Sequence, residues 1–280
     1  MKNGIDSLNL IDDFMFTEAS TDEQTASLLM RLIIERATEL RIGKLLIEPQ
    51  KVVNGVDTDK HGIRMDVMIR EVEQDGKTVQ LFDVEPNSIK SVDLPKRSRY
   101  YQALLDVKLL DSGVKYDNLP DIWTIWILPY DPFGLDYMFY SVTSVVENHE
   151  GIKYNDGVRK IFLYTGGTKG GTEELKNLLR YIEESVEDNA VDKDLKILHS
   201  NVERLKNKKE IGVKYMNLQE VIEYRIEEAV EAAVEENTKE TEMRMSRLTK
   251  MLLEAGRIDD LMRTAKEPEF LAKMLEEYNL

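Results

Sequence analysis

The chain has no cysteine, which excludes disulfides, zinc–thiolate centres and thiol chemistry together. Histidine is scarce: His61, His149 and His199 are scattered with no pair at metal-binding spacing, so a histidine-held metal is not expected. Long apolar runs are missing too. The longest, around Trp123–Pro129 and Phe139–Val146, are strand-sized, far short of the roughly 20 residues that cross a bilayer, so no membrane partner is expected. The opening Met1-Lys-Asn-Gly-Ile-Asp-Ser lacks the apolar core of a secretory signal. With the absent cysteines, this points to a reducing cytoplasm. Positive charge is also in deficit: 38 Lys and Arg stand against 53 Asp and Glu, a net charge of −15. That balance disfavours a tight, non-specific nucleic-acid binder. It leaves room for one local basic surface, and for the clustered carboxylates a divalent cation needs.

What is present is an ordinary globular composition, 42% hydrophobic and 32% charged over 280 residues. Asp12 or Asp13 can cap a short helix. Thr21 or Asp22 can cap a second, whose stripe is Leu28, Leu29, Leu32, Ile33 and Leu40, with Gly43 as its stop. Strands are expected over Leu45–Val53, Arg64–Glu73 and Thr78–Glu85, the last two joined by a hairpin turn at Asp75-Gly76 and the third closed by Pro86. A helix follows over Lys96–Leu110, then strands over Asp121–Leu128, Asp136–Val145 and Lys160–Tyr164. Interior strands with flanking helices indicate an α/β domain over residues 1–172. Helical patterns then run over 173–215, as a subdomain packed on that core, and over 216–280, as a tail with coiled-coil character. Within the tail, apolar positions 226, 230, 233 and 234 lie among acidic neighbours, and pairing with another copy through these helices is expected.

Alternate residues of a strand share a face. Asp83, Glu85 and Asn87 therefore point one way while Phe82 and Val84 enter the core. A two-residue turn at Asp75-Gly76 sets Asp66 directly opposite Glu85. Adjacent carboxylates repel unless a cation or proton satisfies them, and Mg²⁺ suits such an oxygen site. The same spacing also fits two solvent-face residues of an ordinary hairpin.

Asp66, Glu85-Pro-Asn87 and Arg97-Ser-Arg-Tyr-Tyr-Gln resemble the PD-(D/E)XK nuclease superfamily. The likeness is strongest to the bacterial Rpn group of recombination-promoting nucleases and transposase-like proteins. Asp12-Asp-Phe-Met-Phe16, Asp83-Val-Glu85 and Asn155-Asp-Gly157 are similar to that group's other motifs, in order, across roughly residues 10–215. The resemblance implies a restriction-endonuclease-like core with a mixed sheet, and Mg²⁺- or Mn²⁺-dependent hydrolysis of DNA, in recombination or mobile-element biology. It implies Asp66, Glu85 and the Pro86 backbone carbonyl as metal ligands, with Glu23 as a further acid from the first long helix. Glu23 reads more readily as a first-turn charge favourable to the helix dipole. Asn87 stands where the superfamily has a catalytic Lys and this group usually Gln; an amide cannot act as a base. Lys90, Lys96, Arg97 and Arg99, with Tyr101, form the basic, aromatic surface that could grip DNA phosphates and stack a base; they also read as solvated helix charge with a core tyrosine. The other reading is a catalytically degenerate PD-(D/E)XK fold that binds DNA or protein and assembles through its tail. Gly166-Gly-Thr-Lys-Gly-Gly171 lacks the hydroxyl residue of a phosphate loop and reads as a flexible linker.

Overall fold

The computed structural model describes residues 4–53, 63–73, 76, 78–90, 93–110, 112–149, 151–152 and 154–280. It divides into two compact units, Met1–Val213 and Lys214–Leu280.

The first unit is built on a six-stranded mixed sheet in the order β1-β2-β3-β4-β6-β5. The strands are β1 (Lys44–Val53), β2 (Ile63–Val72), β3 (Thr78–Pro86), β4 (Asp121–Leu128), β5 (Phe139–Val142) and β6 (Val158–Tyr164). β1–β2 and β2–β3 are antiparallel, β3–β4 and β4–β6 are parallel, and β5 returns antiparallel to β6. Two antiparallel neighbours need only a hairpin, whereas the parallel step from β3 to β4 needs a crossover. Helix α3 (Leu94–Leu109), opening with Pro95 in its first turn, supplies it.

Strand parity sorts the side chains into two layers. Val67, Ile69, Phe82, Val84, Ile125, Ile127, Ile161 and Leu163 form the larger core with α1 (Asp13–Thr21), α2 (Glu23–Thr38), α4 (Glu173–Glu183) and α5 (Lys193–Lys206). Residues 173–213 thus belong with the sheet. On the opposite face Leu81, Ile122, Trp126, Leu128 and Phe162 pack against Leu94, Tyr101, Leu104 and Leu105 of α3.

Helix α2 stops at Thr38 rather than at Gly43. Glu39 takes up the left-handed conformation at φ 57°, and the Thr38 hydroxyl donates to the Ile34 carbonyl while accepting from the Leu40 N–H.

Most of the expected helical tail is one continuous helix, α6 (Lys209–Glu254), which starts just before the second unit. Within it the Thr238 hydroxyl donates back to the Val234 carbonyl at 2.8 Å. Helices α7 (Ile258–Thr264) and α8 (Pro268–Glu277) follow, and Leu248, Leu252 and Met274 form a small core with Phe270 and Leu271.

Candidate active site

The β2–β3 ladder pairs Glu71 with Gln80 and continues regularly to Val67 opposite Val84. One step further, the Asp66 backbone N–H donates to Glu85 Oε1 at 2.8 Å. The turn end differs from expectation. Val72 pairs with Thr78, so Val79 is an extra residue and the ladder carries a bulge there. Gly76, at φ 85°, donates its N–H to the Glu73 carbonyl; Gln74, Asp75 and Lys77 lie outside the described residues.

Parity places Asp83 and Glu85 on the same side as Leu81, under α3. Both carboxylates are fully buried at 0% exposure, and Asp66 is half-buried, so Glu85 is not a solvent-face residue of an ordinary hairpin. Neither oxygen of Asp83, nor Glu85 Oε2, has a hydrogen-bond donor. The next strand repeats this pattern. Thr124 faces Asp83 and Trp126 faces Glu85, and Thr124 Oγ1 and Trp126 Nε1 are likewise unsatisfied. From α3, the buried Ser98 Oγ adds another.

A carboxylate removed from water without donors costs several kcal/mol, and the ordinary response is to keep a proton. Burial, reinforced by the Asp66 charge, pushes the Asp83 carboxyl up to about 7 against the lowering influence of Glu85 and Arg97. Glu85 is raised well above the ordinary range by burial first, then by Asp83 and Asp66.

Arg97 is the cation at this cluster. Its Nη2 stands 3.5 Å from Glu85 Oε2, and Nε and Nη2 donate to the Tyr101 hydroxyl at 3.1 and 3.0 Å. Its guanidinium carbon lies 5.2 Å from the Tyr101 ring centre and 5.0 Å from that of Trp126. Tyr101 is therefore a buried support for Arg97, not an open stacking platform. Lys90, Lys96 and Arg99 are exposed nearby in sequence, as is Tyr100.

Asn87 turns elsewhere. Its amide nitrogen donates to the Ile89 carbonyl at 3.0 Å and to the Tyr130 hydroxyl at 2.9 Å. Its backbone N–H donates to Ile127 of β4, so by strand alternation Pro86 directs its backbone toward the β2 side. The β2 ladder has already ended there at Val84, which is why a proline fits at this point of a central strand.

Glu23 sits at the start of α2 beside Asp22, Arg31 and Arg204, lining a hollow with them. Asp22 caps α2 through the Thr25 N–H and binds Arg204 at 2.6 Å and Lys208 at 3.2 Å. Asp13, at the first position of α1, is an acid of the N-terminal helices within reach of the Arg97 charge. Burial and Asp12 raise its carboxyl while Arg97 opposes them. In the sequence Asp13 shows as a helix cap and as part of the Asp12–Phe16 motif, and neither signal points to Arg97.

The glycine segment is not a loose linker. The Met138 N–H donates to the Lys169 carbonyl at 2.9 Å, and the Tyr164 N–H donates to the Met138 carbonyl at 3.0 Å. A Cβ on Gly167 would lie 2.5 Å from backbone atoms of Met138.

Oxygen donors that are orphaned, buried and over-supplied with negative charge suit a hard divalent cation. Among the described residues no three acidic or histidine side chains are placed to hold a metal together. Asp66, Glu85 and the Pro86 carbonyl are the oxygens that would hold such a cation here. Among the described residues no helix is long and apolar enough to cross a membrane. No family model, no curated protein and no solved structure matches the chain.

Proposed function

We propose that the chain is a Mg²⁺- or Mn²⁺-dependent nuclease of PD-(D/E)XK type that hydrolyses DNA phosphodiester bonds. The observation that supports this reading is the Asp66 backbone N–H on Glu85 Oε1 at 2.8 Å, which sets residue 66 of β2 beside the buried Glu85 of β3. A bound divalent cation would supply charge stabilisation at the phosphoryl group and a more acidic water. The chain's own contribution is placement. Asp66 fixes the Glu85 carboxylate through its backbone. Arg97, with 37% of its side chain exposed, is braced by two rings and retains N–H groups for a phosphate beside Glu85. The exposed Lys90, Lys96 and Arg99 extend that positive edge along the strand-to-helix connection. A setting in recombination or mobile elements rests on the motif resemblance alone.

A second reading is a degenerate module that binds DNA or protein without cutting. The observation favouring it is Asn87, whose amide hydrogens are both taken by Ile89 and Tyr130.

Supercoiled plasmid incubated with purified protein and Mg²⁺ separates the two. Nicking by the natural chain, lost by about a hundredfold or more in both Asp66→Ala and Glu85→Ala, supports the nuclease. Plasmid binding without nicking supports the degenerate module. Equal cutting by both variants would sink the assignment of the site.

A further inference from the structure

Within the second unit, helix α6 presents one row of apolar side chains with no cover. Leu218, Ile222, Ile226, Val230 and Val234 follow at four-residue spacing, and they are 38 to 59% exposed. Ala229 and Ala233 widen the row, and both are exposed. Further along the same helix, Leu248 and Leu252 are buried beneath Met274 of α8. The helix therefore buries its apolar residues where the chain supplies a lid and leaves them bare over 218–234. Amphipathic helices owe most of their stability to a packed face, and this one has its face without the packing.

The charge around the row identifies what fits it. Residues 219–242 contain nine glutamates and only two cations, Arg225 and Lys239. Lys239 is already paired with Glu235. A second copy laid parallel sets this acidic block against itself. A second copy laid antiparallel about the centre of the row does the same. Like charges flanking a helix seam select against self-pairing, and opposite charges select the partner.

We infer that residues 218–234 of α6 dock a basic amphipathic helix from another protein, about 24 Å of it, with an apolar face flanked by Lys and Arg. This replaces pairing with a second copy as the role of the tail. Apolar contact along the row would hold the partner, and the glutamates would choose it and steer its approach.

The test uses the full chain and two labelled synthetic helices that share one Leu row, the first flanked by Lys and Arg, the second by Glu. Fluorescence anisotropy is expected to show binding of the basic peptide only, weakened about tenfold or more between low and high salt. Ile222→Gln/Ile226→Gln/Val230→Gln should abolish binding while leaving helix content by circular dichroism unchanged, because these positions are exposed and Gln is a good helix former. Glu227→Gln/Glu228→Gln/Glu231→Gln should weaken binding and flatten its salt dependence. Equal binding of both peptides, or no binding of the basic one, overturns the inference. Sedimentation of the natural chain as a dimer that the Gln triple variant converts to monomer overturns it in favour of self-pairing.

Discussion

Arg97 stands over Glu85 with Nη2 3.5 Å from Oε2, and its guanidinium lies against the rings of Tyr101 and Trp126. The contact is half-open, so its Coulomb worth is modest, but ring stacking and the two bonds to Tyr101 fix the geometry. Arg97→Lys keeps the charge and loses the planar fork. It is expected to cost about 1 kcal/mol in urea unfolding and to weaken DNA binding by about tenfold in a filter or anisotropy assay. An unchanged affinity would remove Arg97 from the phosphate surface.

Asp83 gives the fold a pH dependence of definite sign. Burial pushes its folded carboxyl up to about 7, against roughly 4 in the unfolded chain. Between those values the native state holds more protons than the unfolded one, so stability falls as pH rises through the window and is level above it. In chelator, Asp83→Asn should therefore raise stability by about 1–2 kcal/mol at pH 8 and by little near pH 5. Thermal midpoints at the two pH values check it; a larger gain at the lower pH would contradict the buried-acid account.

The bonds of Asn87 make a structural role measurable. Asn87→Ala removes two hydrogen bonds and Tyr130→Phe removes one of them. Each should lower stability by about 1–2 kcal/mol, and each should leave the rate of plasmid nicking within about threefold. If Asn87→Ala abolishes nicking while Tyr130→Phe does not, Asn87 acts in the chemistry.

Gly167 is a space constraint. A Cβ there would meet Met138 backbone at 2.5 Å, and backbone cannot rotate aside as a side chain can. Gly167→Ala is expected to cost about 3 kcal/mol by denaturant unfolding, the upper range for overpacking. A cost below about 0.5 kcal/mol would mean that the segment yields after all.

Local patterning made much of the sheet readable. Strand β4 carries its β-branched and aromatic residues over Asp121–Leu128, the stretch the sequence marks, and Phe82 and Val84 enter the core as their parity requires. What covers a face is a different matter. Asp83 and Glu85 look like exposed strand residues until α3 is laid over them, and no periodicity within β3 reports the position of a helix beyond its end. The influence of the Arg97 charge on Asp13 is equally non-local, since one residue opens α1 and the other lies in the first turn of α3. The glycine segment misled for the opposite reason. Glycine marks both slack chain and tight contact, and only the neighbour, here Met138, tells them apart.

The irregular step at Val79 has a larger effect than its size suggests. Were the hairpin to run evenly from Val72 and Thr78, Asp66 would stand across from Val84, and Glu85 would look out of the other side of the sheet. One surplus residue, more than a dozen ångströms of strand away, works like a vernier that dials the two acids onto a common side. Any relative of this chain that lengthens or trims the hairpin must reset that offset or give up the pair.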